Sequence, residues 1–185
     1  MMREAGIFAA GAAGALWLVR QSVRQGARAA RQQRGLYSAA DVSQVEPPLV
    51  LHGEVVKGFG RGGKLLGCPT ANIDEKAVGN ALESFGTGVY FGWAKLDGQV
   101  YKMVTSIGWN PYFKNDKKTV EPHILHDFKG DFYGKMLSIV VCAKIRPELN
   151  FDSMEALVEA IDNDKAIAVK ALDDKRYEPL KAKLS

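Results

Sequence analysis

The sequence predicts an all-β fold: a closed six-stranded antiparallel Greek-key barrel with one C-terminal helix packed outside it. Three observations carry this expectation. Between residues 49 and 145 the chain holds six short apolar segments, several of them alternating, separated by turn residues, the spacing of a small barrel. A helical pattern appears only after the last segment, so strands and helices do not alternate as βαβ layering would require. Asp97-Gly98 joins two of the segments and is a strong hairpin signal.

The elements follow in order. Residues 49–56 (LVLHGEVV) mix β-branched and alternating positions and read as a strand. Residues 71–73 begin a second. Residues 86–96 (GTGVYFGWAKL) form the third and pair through the Asp97-Gly98 turn with residues 99–109 (QVYKMVTSIGW). Residues 119–128 (TVEPHILHDF) form the fifth, interrupted or placed at an edge by Pro122, which has no N–H to give. Residues 135–145 (KMLSIVVCAKI) form a strongly apolar sixth. Asp152 or Ser153 then caps a helix over residues 154–172, with Leu157, Ile161 and Ala168 roughly on one side.

Charge is distributed unevenly. Residues 1–40 carry six arginines and one acid, a net +5, so a chain of net +4 leaves its remainder at −1. A near-neutral body speaks against a grip on a polyanionic duplex. Residues 5–19 are apolar without a break, but 15 residues fall short of the ~20 that span a bilayer as a helix. Arg20, Arg24, Arg28 and Arg31 then recur at helical spacing. An Arg-rich, acid-poor amphipathic stretch fits a mitochondrial leader, with RGLYSA (residues 34–39) as its processing site. An uncleaved membrane anchor and a frayed extension remain as alternatives. Glu46-Pro47-Pro48 marks the expected boundary between an extension, 1–45, and a folded domain, 46–185. The two cysteines, Cys68 and Cys142, suggest neither a disulfide framework nor a zinc site. His123 and His126, three apart in a strand, face opposite sides and do not chelate one ion.

The candidate chemistry begins in GFGRGGKLLGCPTANI, residues 58–73. Gly58, Gly60 and Gly63 satisfy a dinucleotide fingerprint, and Gly58, Gly63 and Lys64 most of a P-loop, but Leu65 stands where a hydroxyl belongs. Gly67 and Pro69 also prevent the helix that both folds require. The phosphate chemistry survives without those folds, because glycines let backbone N–H groups approach an anion while Arg61 and Lys64 add charge. A plain surface loop is the competing reading. Thr70 and Asn72, two apart, face the same side of an extended segment. Neutral oxygens beside a phosphate loop suit magnesium, which leans on nucleotide phosphates.

Four ordered segments, GFGRGGKLLGCPTAN, VTSIGWNPYFKNDKKTVEPHIL, DFYGK and IRPELNFDSMEAL, together resemble the monofunctional eukaryotic riboflavin kinases, from about His52 to Leu172. The resemblance implies a six-stranded barrel that transfers the γ-phosphate of ATP to the 5′-hydroxyl of riboflavin, yielding FMN. It implies that Gly58, Lys64, Thr70, Asn72, Ile124, His126 and Tyr133 contact the nucleotide. Thr70 and Asn72 would hold a divalent cation, expected to be magnesium, with zinc or manganese as alternatives. Glu121 takes the catalytic position, and Arg146 and Met154 the flavin side. Glu121 is also the one acid in residues 119–125, and such a carboxylate can orient a hydroxyl and accept its proton. Trp109, Tyr112 and Phe113 could stack on a flavin, although aromatics in a small barrel are more often core. Leu149 stands where relatives often carry lysine, and Gly63 where they often carry serine.

The expected partners are therefore the small molecules riboflavin and ATP, with the protein a monomer and residues 1–45 meeting a membrane or import machinery. Three rivals remain. A barrel could hold a flavin or nucleotide without chemistry. It could bind single-stranded nucleic acid through Lys114, Lys117 and Lys118, or the N-terminus could make the protein a membrane-tethered scaffold.

Overall fold

The computed structural model describes residues 8–57, 69–109 and 118–184, with side chains from residue 21 onward save that of Glu75. Helix α1 (Phe8–Gln33) precedes strand β1 (Ser43–Val56). Then come β2 (Asn72–Ile73), a short helix α2 (Glu75–Val78), β3 (Gly88–Leu96), β4 (Gln99–Trp109), β5 (Lys118–Ile124), β6 (Met136–Arg146) and helix α3 (Met154–Ala171). The sheet is antiparallel in the order β2-β1-β6-β3-β4-β5. It curls until its two ends meet, where the Ala71 amide donates to the Pro122 carbonyl at 2.7 Å.

The sequence pattern explains this closure. Inward side chains of β1, β3, β4, β5 and β6, among them Leu51, Tyr90, Met103, Ile107, Val120, Ile124 and Ile139, build one apolar core. Outward ones, including Phe91, Trp93, Val140, Cys142 and Ile145, build a second with Ile167, Leu172, Tyr177 and Leu184. Strand β6 is apolar at nearly every position because it contributes to both: Leu137, Ile139 and Val141 face the barrel interior, Val140 and Cys142 the helix side. The Asp97-Gly98 turn takes positive φ at both residues, 49° and 79°, as a two-residue hairpin of this type does. Ser153 caps α3 by accepting from the Ala156 amide at 3.1 Å.

Two expectations are corrected. The first strand starts at Ser43 and not at residue 49, and Ser43 and Gln44 already pair with Lys144 and Ala143 of β6. Pro47 and Pro48 do not end the element; they sit in the irregularity between Gln44 and Leu49, where a missing N–H costs no ladder bond. The fifth strand ends at Ile124, not at residue 128: the His126 amide turns back onto the Ile124 carbonyl at 2.8 Å. Among the described residues, no helix is long and apolar enough to cross a membrane.

Candidate active site

Leaving β5 at Ile124, the chain crosses the mouth of a cleft of about 570 Å³. Pro69, Thr70 and Ala71 line one side, the last residues of β5 another, residues 125–133 a third, and Lys165 of α3 reaches in. Thr70, Ile124, His126 and Tyr133, four positions expected to meet a nucleotide, therefore share one cleft. The wall is anchored by hydrogen bonds. The Nδ1–H of His123 donates to the Pro69 carbonyl at 2.7 Å, which places the ring proton on Nδ1. Burial holds the His123 pKa below its ordinary value, against the opposing pull of that hydrogen bond, so the ring stays neutral. His126 belongs to an aromatic cluster, with Tyr101 at 4.9 Å and Phe128 at 4.8 Å between ring centroids. The two histidines thus have separate surroundings, and no group of His, Cys, Asp or Glu among the described residues is placed to hold a metal.

Of the Thr70–Asn72 pair, Thr70 lines the cleft and Asn72 is not among its lining residues. Ala71 and Ile73 are buried, Thr70 is exposed and Asn72 half-buried, the alternation of an extended segment with Thr70 and Asn72 on one side. Two neutral oxygens without a carboxylate suit a cation that brings most of its charge balance from bound phosphates. Gly58, Lys64 and Arg61, with Cys68, Tyr112 and Phe113, lie outside the described residues.

On β5 the alternation continues. Val120, Pro122 and Ile124 are buried; Glu121 and His123 are half-buried and share the opposite face. Glu121 pairs in register with Ser106 of β4. The next pair along is Gly108 with Thr119 on the same face, and there the Glu148 carboxylate closes onto the bare Cα of Gly108. Glu148, from the segment linking β6 to α3, was given no role from the sequence; nothing in the local pattern indicates that this segment folds back over β4.

The structure brings Arg146 and Met154 to that same linking segment and not to the cleft. Arg146 is only 5% exposed. Its Nε donates to both carboxylate oxygens of Asp164 at 3.0 and 3.1 Å, and a terminal nitrogen to the Pro147 carbonyl at 3.2 Å. The residue expected to meet the flavin is thus committed beneath the surface. Burial raises the Asp164 pKa to about 6, against the lowering effect of Arg146. Met154 stands exposed at the first turn of α3. Lys165 and the Phe128–Phe132 pair (4.9 Å) complete the surroundings of the cleft. They were also not anticipated, since Lys165 comes from a helix far along the chain.

Fold and site together are those of a small antiparallel barrel with a cleft of mixed polar and apolar lining at the end of one strand and a carboxylate on that strand. Residues 45–172 match the flavokinase family model, described as riboflavin kinase. Over 127 residues the chain is 54% identical to a riboflavin kinase of Mus musculus, covering 68% of this chain and 82% of the mouse protein. It is 53% identical, with the same coverage, to one of Homo sapiens. The crystal structure of riboflavin kinase from Trypanosoma brucei superposes with a TM-score of 0.57 at 32% identity, covering 71% of this chain and 83% of that one. The chain belongs to the riboflavin kinase family.

Proposed function

We propose that the chain's ATP-dependent phosphorylation of riboflavin to FMN takes place where β5 joins the cleft to the face carrying Glu121. The supporting observation is the geometry of one strand. Glu121 and His123 share a face about 7 Å apart along the strand, and His123 is already part of the cleft wall. A nucleotide held by Thr70, His126 and Tyr133 would bring its terminal phosphate toward Glu121. A riboflavin lying along the β4–β5 face, between Glu121 and Glu148, would bring its ribityl hydroxyl from the other side.

In that arrangement each group has a separate task. Thr70 and Asn72 would hold magnesium, which when bound supplies charge neutralisation at the phosphate oxygens. Glu121 orients the acceptor hydroxyl and takes up its proton as the new P–O bond forms and the bond to the leaving ADP breaks. Neutral His123 fixes the Pro69 carbonyl and, through it, the backbone that presents Thr70. Arg146 acts from beneath, holding the linking segment against α3 through Asp164.

The test is Glu121→Gln in the full chain, which keeps the shape and removes the base. FMN formation followed by chromatography is expected to fall about 100-fold or more in kcat. ADP and riboflavin binding, followed by calorimetry and by flavin fluorescence, are expected to persist. Near-normal turnover would remove Glu121 from the mechanism.

A further inference from the structure

The N-terminal side of β1 makes contacts that the family match does not cover. Residues 35–42 precede the matched span, 45–172, yet they are fastened to the barrel at several points. Gly35 adopts φ +74°, a conformation that side chains rarely tolerate. A Cβ placed there would stand 2.7 Å from Phe151 Cε1 and 3.0 Å from the Ala160 Cβ. The bare Cα of Gly35 therefore lies flush against the Phe151 ring and against α3. The same ring lies 5.5 Å from the Arg146 guanidinium carbon. Two residues on, the Tyr37 carbonyl accepts from the Asn163 amide at 3.2 Å, and Tyr37 and Val42 pack against the outer core.

The far end of the segment is clasped. The Asp41 carboxylate is only 2% exposed, and it accepts from Arg28 (2.5 Å), Arg31 (3.2 Å), Gln32 (2.9 Å) and both the amide and hydroxyl of Ser38 (2.9 and 2.7 Å). Although burial pushes its pKa up, the hydrogen bonds from Ser38 and Arg28 prevail and hold it below the usual range. Immediately after the clasp, Ser43 and Gln44 join the ladder of β6.

We propose that residues 35–42 form a positioning strap for the acceptor side: by bracing Phe151 they set the 147–153 segment, whose Glu148 borders the Glu121 face, and so tune riboflavin affinity. The inference rests on the placement of riboflavin given above. Gly35 and Asp41 are positioning residues, acting through Phe151. Among the described residues, Phe151, Ala160 and Asn163, which the strap touches, do not line the cleft that holds Thr70, His126 and Tyr133, so the effect is expected on the riboflavin side.

The experiment is steady-state kinetics on the full chain, with riboflavin and ATP varied separately and flavin fluorescence reporting riboflavin binding. Gly35→Ala, which drives a methyl group at the Phe151 ring, is expected to raise the riboflavin KM about fivefold or more while leaving the ATP KM and kcat within about twofold. Asp41→Ala, which opens the clasp without touching Phe151, is expected to act in the same direction and serves if Gly35→Ala folds poorly. In a Phe151→Leu background the added effect of Gly35→Ala is expected to shrink, as coupled neighbours do. An unchanged riboflavin KM in both variants, or equal rises in both KM values, would overturn the strap. Absence of FMN formation by the unaltered chain would instead overturn the proposed function beneath it, so the two failures are told apart by the first control.

Discussion

Gly92 shows how tightly single residues are constrained in this barrel. It lies in β3 opposite Val141 of β6, where the register shifts by one between Phe91 and Gly92. The shift brings the backbones so close that an added Cβ would fall onto the Val140 carbonyl oxygen and lie 3.1 Å from the Val141 Cα. Those neighbours are backbone atoms of the fully buried Val140 and Val141, and they cannot swing aside as a side-chain end can. Gly92→Ala is therefore expected to lower stability by at least about 2 kcal/mol, the upper part of the usual overpacking range. Urea unfolding followed by tryptophan fluorescence measures it. A variant with an unshifted midpoint would mean the β3–β6 pair can separate locally, contrary to its packing on both faces. Glu121 stands at the other extreme: it is half-buried and beside Ser106, and its substitution is expected to alter turnover before stability.

At the scale of elements, the joint between β6 and α3 is held by one buried pair, Arg146 with Asp164, in which Asp164 stands 18 residues down the chain. The Asp164 carboxyl titrates at its usual 3.8 when unfolded and at about 6 when folded. Between those pH values the folded chain keeps a proton that the unfolded chain has lost. Its contribution to stability is thus fully present below 3.8 and is lost as pH rises through about 6. Asp164→Asn cannot titrate. The stability of the parent relative to this variant is expected to decline by about 2 kcal/mol between pH 4 and pH 7.5, measured by urea unfolding at several pH values. A pH-independent difference would show that Arg146 fully offsets the burial of the carboxylate. This joint also marks how far the sequence could be read. Period-two alternation, the Asp97-Gly98 turn and the Ser153 cap are local signals, and the six strands and α3 follow them closely. The shared cleft of Thr70, Ile124, His126 and Tyr133 was legible through motifs. The burial of Arg146 was not, because its partner is set by how α3 packs and not by any spacing in the strand. The early start of β1 was missed for a related reason. Prolines argue against local order, and only pairing with β6 reveals that Ser43 and Gln44 belong to the sheet.

For the whole molecule, the folded unit extends past both ends of the family match, which closes at residue 172. The inner core is complete within the barrel, but the outer one is not: Phe91, Trp93 and Cys142 are covered from beyond that limit by Tyr177 and Leu184. Tyr177 is 4% exposed and meets Phe91 edge-on at 5.2 Å between ring centroids. Its carbonyl accepts from Trp93 Nε1 at 3.0 Å, and the Leu184 carbonyl accepts from Lys95 Nζ at 3.1 Å. Burial lifts the neighbouring Cys142 thiol to about 12, against the lowering effect of a hydrogen bond with the Trp93 backbone. Tyr177→Ala removes the aromatic side chain from the layer and leaves a cavity beside Phe91. It is expected to cost about 3 kcal/mol, seen as a lower urea midpoint with an unchanged slope. Tyr177 does not line the cleft, so the ATP KM of the folded variant is expected to stay within about twofold of the parent. A midpoint equal to the parent's would show that residues 173–184 lie on the barrel without holding it. A collapse of ATP affinity in a stably folded variant would show that the outer core, and not β5 alone, sets the shape of the cleft.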